Sequence, residues 1–314
     1  MGENFSANES LKELKKLSEK DNYKFELPDD FSKLPGLESS QGMFPSCLEI
    51  LVKWEDGGDL KELLLHLANF TNNIKNDKFV AFKLESWSAI NIPPEIGLFK
   101  NLTTLDISYA SAQSISKDIG NLITLKNLYI NSNENLSELP DFSSLTNLED
   151  LKLAKNKLES LPKGIGKLKK LEKLDVEKNE LTYLPEDIGN LVLLKQFKIK
   201  DNKLTSLPAS LGSLEHLPEL DLSKNELVTL PPEIGSMKNL LKLFATDNKI
   251  EYLPSEIGNL ENLKLLWLGN NRLTTLPDEI TQLKSLMGLG LQNNNFSSEE
   301  ENKITAQLDF SPAF

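Results

Sequence analysis

LEKLDVEKNELTYLPEDIGNLVL (Leu171–Leu193) decides the fold. Its first half alternates: Leu174 and Val176 turn one face of a short strand inward, while Lys173 and Asp175 face out. Asn179 stands where the strand ends, and a side-chain amide there satisfies turn backbone groups that no sheet ladder reaches. Pro185 then starts a turn, Gly189 permits a tight backbone, and Ile188 and Leu191 point back to the same interior.

The stretch is one copy among many. The pattern LxxLxLxxNxL begins at Leu102, Leu125, Leu148, Leu171, Leu194, Leu217, Leu240, Leu263 and Leu286, always at the same spacing. A weaker copy, FVAFKLESW, starts one such step earlier at Phe79, so ten units run from Phe79 to about Phe296. Asn133, Asn156, Asn202, Asn225, Asn248, Asn271 and Asn294 repeat the role of Asn179, and Leu-Pro recurs in seven consecutive units from Leu139-Pro140 to Leu276-Pro277. One unit cannot bury its leucines alone, but stacked neighbours share a continuous core. The expected architecture is therefore α/β, a curved solenoid with a parallel sheet on its concave side.

Two units depart from the pattern. The second has Ala110 and Ala112 where Asn and Leu are expected and Ser116 in place of Pro. The third carries one extra residue in Asn133–Leu136 and a shorter return segment, which predicts a local bulge near Glu134 and Asn135.

An open solenoid exposes core at both ends, so residues 1–78 and 297–314 are expected to be helical caps flanking the repeats of 79–296. Ser10 to Glu13 reads as a capping box before a Leu11, Leu14, Leu17 stripe. Leu27–Leu37 copies a return segment without a strand after it. Cys47–Trp54 reads as a strand with Cys47, Ile50 and Val52 inward, and Asp59 with Glu62 opens an amphipathic helix through about Phe70. Together these predict a degenerate first repeat whose strand forms the sheet edge. Ser298–Glu301 is a second capping box, followed by Ile304 and Leu308 in a short closing helix.

The LPxxIGxLxxL return segment resembles the 23-residue class of the leucine-rich repeat family, as in plant Ras-group, Scribble-like and bacterial members. That resemblance implies protein binding without catalysis. It suggests small GTPases, phosphatases, kinases or other signalling proteins as partners, and no residue selects among them. A bacterial secreted effector or surface protein gripping a host protein is the alternative. Bacterial ubiquitin-ligase effectors of the same family carry a large catalytic domain with a cysteine. Here only the short stretch Ser297–Phe314 follows the repeats, and it holds no Cys.

Composition narrows the chemistry. The formal charge of −12 disfavours nucleic acid, whose binders neutralise phosphates with basic patches. No apolar run reaches the ~18 residues of a membrane span, and MGENFSANES lacks the basic and apolar regions of a signal peptide. The expectation is a cytoplasmic chain if full-length, and a secreted or host-delivered one if it is an effector. One cysteine and two histidines exclude an internal disulfide and a His/Cys metal cluster. GxSxG, GxxxxGK[ST] and HExxH are absent. No cofactor, metal or small-molecule substrate is expected. His66 and His216 read as structural or surface residues, and Cys47 as a small apolar core residue, with enzyme chemistry at Cys47 or elsewhere in 1–78 a remote alternative.

The binding candidates lie on the strands. Between the inward leucines runs an outward column: Lys83, Asp106, Tyr129, Lys152, Asp175, Lys198, Asp221, Phe244, Trp267, Gly290. Adjacent strands are ~4.8 Å apart, so its members touch. The charged stretch reads as a solubilising ladder. Phe244, Trp267 and Leu265, beside a hollow left by Gly288 and Gly290, read as a binding hot spot, or else the two rings stack and stabilise the sheet. Tyr109 with Tyr129 is a smaller candidate. Sequons at Asn69, Asn101 and Asn135 are what an Asn-rich repeat generates by chance.

Overall fold

The computed structural model describes residues 12, 14, 16, 23–26, 48–54, 60–73, 79–86, 90–308 and 312–314. They fall into two compact units, the first comprising Met1–Lys157 and Pro162–Gly164, the second Leu158–Leu161 and Ile165–Phe314.

In the first unit the leucine period builds a parallel ladder. Strands β3 (Phe79–Ser86), β5 (Thr104–Asp106), β7 (Asn127–Tyr129) and β8 (Asp150–Lys152) pair side by side, each residue facing its counterpart in the next copy. Leu105 stands opposite Leu128, and Leu128 opposite Leu151. These central leucines are fully buried, as are Ile107, Ile130 and Leu153 one step beyond. Phe82, opposite Leu105 in the same inward row, stacks on Phe99 at 5.3 Å. The strand expected from Cys47 is β2 (Leu48–Trp54), parallel to β3 and joined to it by the helix Leu60–Asn73. Leu60, Leu63, Leu64, Leu67 and Ala68 form the buried stripe of that helix, which packs against the turn Pro94–Leu98.

The expectation that β2 is the edge strand is wrong. β1 (Tyr23–Glu26) pairs antiparallel to it, with Tyr23 opposite Trp54. A parallel edge presents unpaired amides and carbonyls, and β1 covers them. Ser10, Leu11 and Glu13 of the capping box, Leu27–Leu37, Cys47 and Asp59 lie outside the described residues, while Leu14 is helical and buried.

The departures of the second and third units have local solutions. β4 (Ile90–Ile92) and β6 (Ala112–Ile115) form a separate two-stranded parallel sheet. Ser116, where Pro was expected, caps the turn Lys117–Asn121 by accepting from the Asp118 amide. The inserted residue is absorbed where predicted: the Leu136 amide donates to the Asn133 carbonyl, leaving Glu134 and Asn135 exposed and Leu136 buried.

The second unit is more regular. Strands β9 (Lys173–Asp175), β10 (Gln196–Lys198), β11 (Glu219–Asp221), β12 (Lys242–Phe244), β13 (Leu265–Trp267) and β14 (Gly288–Gly290) pair in parallel at the same one-copy offset. Their return segments are 3-10 turns, not α-helices. In Glu186–Asn190 the Ile188 amide donates to the Pro185 carbonyl and Leu191 to Ile188. A short segment after an extended Pro suits that tighter winding. Gly189 has a different role from the one expected: its φ is not left-handed, but a Cβ there would collide with the Ser210 carbonyl and side chain of the next copy.

A column of buried asparagines fixes the turns. Asn225 accepts from the Leu204 amide and donates to the carbonyls of Ile199 and Leu222. Asn202, Asn248 and Asn271 repeat this with partners shifted by one copy. In the first unit Asn133 and Asn156 do the same, Asn133 serving the Ala112 amide. The residue before each asparagine is left-handed, from Ser132 through Lys155, Lys178, Asp201, Lys224, Asp247 and Asn270 to Asn293.

At the far end a helix runs Ser298–Gln307 and buries Ile304. Its cap is Ser297 rather than Ser298: the Ser297 hydroxyl accepts from the Glu300 amide at 3.2 Å. Leu308 leaves the helix in an extended conformation, and Ala313 bridges to Gly290.

Candidate functional site

Outward strand positions form two chemically distinct surfaces in the second unit. Across β9 to β11 they are charged and paired: Lys198 with Asp175 at 3.8 Å, Lys200 with Asp221 at 3.5 Å, and Lys242 of β12 with Glu219 at 3.0 Å. The ladder expected along the central column thus forms partly on the diagonal, with Lys200 rather than Lys198 reaching Asp221. Glu177 sits among these groups with its carboxyl above the usual range, first because of burial and then because Asp175 and Asp221 are close. Half-exposed pairs of this kind contribute ~0.2–1 kcal/mol each, which makes a solvated face and not an anchor.

The surface changes at β12. Phe244, Leu265 and Trp267 are half-exposed on the outward side while Leu243, Leu266 and Leu289 are buried beneath. The strand register sets Phe244 opposite Trp267, Trp267 opposite Gly290 and Leu265 opposite Gly288. The hollow expected beside the indole is filled. A Cβ on Gly290 would stand 2.5 Å from Cε3 of Trp267, and one on Gly288 would stand 2.9 Å from Cδ2 of Leu265. Both side chains lean over the glycines, so the missing side chains are what let the indole lie down. Stacking of the two aromatics is not seen either: among the described residues the ring pairs are Phe82 with Phe99 and Phe296 with Phe314. Gln292 lies next to Gly290, its Oε1 buried and without a hydrogen-bond partner.

Met287 belongs to the same end of the sheet and is 73% exposed. Sequence reasoning passed over it. The signal was available, because Met287 occupies the repeat position held by Lys195 and Lys264 in earlier copies.

In the first unit the candidates Tyr109 and Tyr129 are not brought together. Tyr109 is 62% exposed and left-handed, just beyond the end of β5. Tyr129 is tied into a polar cluster: its hydroxyl donates to Oδ2 of Asp150 at 3.3 Å, and Nζ of Lys152 lies 4.5 Å from its ring centroid. Lys152 also approaches Asp150 at 3.8 Å. Burial, then the Asp150 charge and hydrogen bond, then Asp106, push the Tyr129 phenol up to about 12. Asp150, only 8% exposed, holds this cluster together, and its burial was not legible from a position that carries Thr, Asn, Lys, Gln, Glu, Leu or Gly in other copies.

Cys47 lies outside the described residues, as does the side chain of His66, and His216 is exposed. Among the described residues no group of three or more His, Cys, Asp or Glu could hold a metal, and no helix is long and apolar enough to cross a membrane.

Family models described as leucine rich repeat match residues 123–181, 146–204 and 262–283. A Leptospira interrogans LRR protein of known structure is 30% identical, covering 79% of this chain and 80% of that one, at a TM-score of 0.44. The plant peptide hormone receptor RGFR1, solved in complex with RGF2, is 26% identical over 74% of this chain and 42% of the receptor, at a TM-score of 0.57. An octameric complex of Latrophilin 3, Unc5D and the FLRT2 LRR contains a chain 25% identical, covering 74% of this chain and 72% of that one, at 0.57. A search of curated proteins finds no match. The chain thus spans less than half the length of the plant receptor it is similar to.

Proposed function

The chain belongs to the leucine-rich repeat family, and on that premise we propose that it is a non-catalytic scaffold binding another protein through the outward face of its sheet. The observation carrying this reading is the half-exposed row Phe244, Leu265 and Trp267, set in register on strands whose other face is buried leucine. Aromatic anchors on a rigid element bind at low ordering cost, because neither backbone nor ring orientation has to be immobilised on association. Trp267 is preset by its contact with Gly290. The likeness to a plant receptor solved with RGF2, and to an FLRT2 chain solved with Latrophilin 3 and Unc5D, supports a protein ligand.

The test is affinity capture, from the native cell and from a candidate host, comparing wild type with the double variant Phe244→Ala/Trp267→Ala. The expected result is loss of the captured partner with a melting temperature close to wild type. Retention of the partner together with a large melting drop would show that the two rings only stabilise the sheet. The source from which the partner is captured distinguishes a cytoplasmic signalling role from a delivered bacterial protein.

A further inference from the structure

The repeat does not stop at Phe296. Gly290 pairs in parallel with Ala313, one full repeat further along the chain, so the tail re-enters the sheet at its own period. The helix Ser298–Gln307 occupies the place of the return turn. Two backbone hydrogen bonds hold the tail, Leu291 N–H to the Ala313 carbonyl at 2.6 Å and Ala313 N–H to the Leu289 carbonyl at 2.9 Å. The edge-on packing of Phe314 against Phe296 at 6.1 Å accompanies them. β13 and β14, by contrast, are in register along their whole length, from Leu265 opposite Gly288 to Trp267 opposite Gly290.

We propose that the β14 edge is an acceptor for an extended segment with a small residue followed by an aromatic one, and that Pro312–Phe314 of one copy exchanges onto this edge of a second copy. Backbone hydrogen bonds with one ring pocket are the general means by which a sheet edge takes a peptide strand. The second copy is the occupant because it carries the segment already matched to this edge. Exchange re-forms the same two hydrogen bonds and the same ring contact, so it needs no new complementarity. Phe314 is 40% exposed even when docked, which makes its release inexpensive. This edge is separate from the Phe244 and Trp267 surface in what it recognises: backbone here, side-chain rings there.

The test uses the full chain. Ala313→Pro removes the N–H that donates to Leu289 and leaves the repeats and helix unaltered. A dye-labelled peptide of sequence DFSPAF (309–314) is titrated against wild type and variant. The variant should bind it roughly tenfold more tightly, because the internal competitor no longer fills the edge, and Phe296→Ala in the variant should abolish that binding. In sedimentation velocity the wild type should form a dimer that grows with concentration, and Ala313→Pro should remain monomeric. Thermal melting within about 4 °C of wild type confirms that each variant is folded. Equal peptide affinity for the two chains, a wild type that stays monomeric, or a dimer undiminished by Ala313→Pro would each overturn the proposal.

Discussion

Two side chains show how position in the repeat sets chemistry. Tyr129 shares the central outward column with Phe244 and Trp267, yet Asp150 turns it into a hydrogen-bond donor. Its proton is held more tightly in the folded chain than in the unfolded one, with the pKa moving from 10.0 to about 12. The stabilisation is therefore fully present below pH 10 and is lost as pH rises through about 12. Ultraviolet titration should find the Tyr129 phenol ionising late, near 12, and Asp150→Asn should bring it back toward the ordinary range. A Tyr129 that ionises at the ordinary phenol value of 10.0 would mean that the cluster does not form in solution. Lys152 above the same ring adds a cation–π contact that ionisation of the phenol would also disturb.

At the scale of elements, the return turn is where the packing is tightest. Gly235 would place a Cβ against the Glu256 carbonyl of the following copy, and Gly212 would do so against Glu233. Gly235→Ala should cost about 1–3 kcal/mol, the usual penalty for forcing a methyl into a packed interior. Urea denaturation should show an earlier midpoint with an unchanged slope. Strands, turns and the buried leucines were legible because they recur, and recurrence averages out local ambiguity. β1 was not, because Tyr-Lys-Phe-Glu is short, belongs to no repeat and pairs antiparallel. The Ser297 cap was missed by one position because Ser297 and Ser298 are chemically equivalent, and only backbone geometry chooses between them. The Trp267 surface was legible as a location, since period two fixes which side a residue faces. The posture of the ring was not, because it depends on what Gly290 leaves open across the strand pair. Asp150 was missed because its burial depends on where the Tyr129 and Lys152 side chains settle around it.

Across a whole stack of repeats, stability should be a sum of neighbour terms, and the asparagine column makes that measurable. Asn225 and Asn248 both donate to the Leu222 carbonyl, whereas Asn179 and Asn271 lie in copies well separated along the chain. Each single Asn→Ala change should cost about 1–3 kcal/mol, since it leaves a buried turn amide without its acceptor while a carbonyl such as that of Leu222 keeps the donor from the neighbouring copy. The pair Asn179→Ala/Asn271→Ala should be additive to within about 0.5 kcal/mol. The pair Asn225→Ala/Asn248→Ala should cost more than its parts, because only the double variant strips the Leu222 carbonyl of both side-chain donors. Calorimetric unfolding of the four single and two double variants checks this, and additive behaviour in both pairs would count against a shared acceptor.

The extra residue at Asn133–Leu136 has a practical corollary. The stack closed around it with Leu136 still inward and the next strand still in step, while Glu134 and Asn135 were pushed out to water. The repeat thus already accommodates an added residue at that point, and foreign loops or affinity tags grafted between Glu134 and Asn135 would hang from the flank without reaching the leucines behind it.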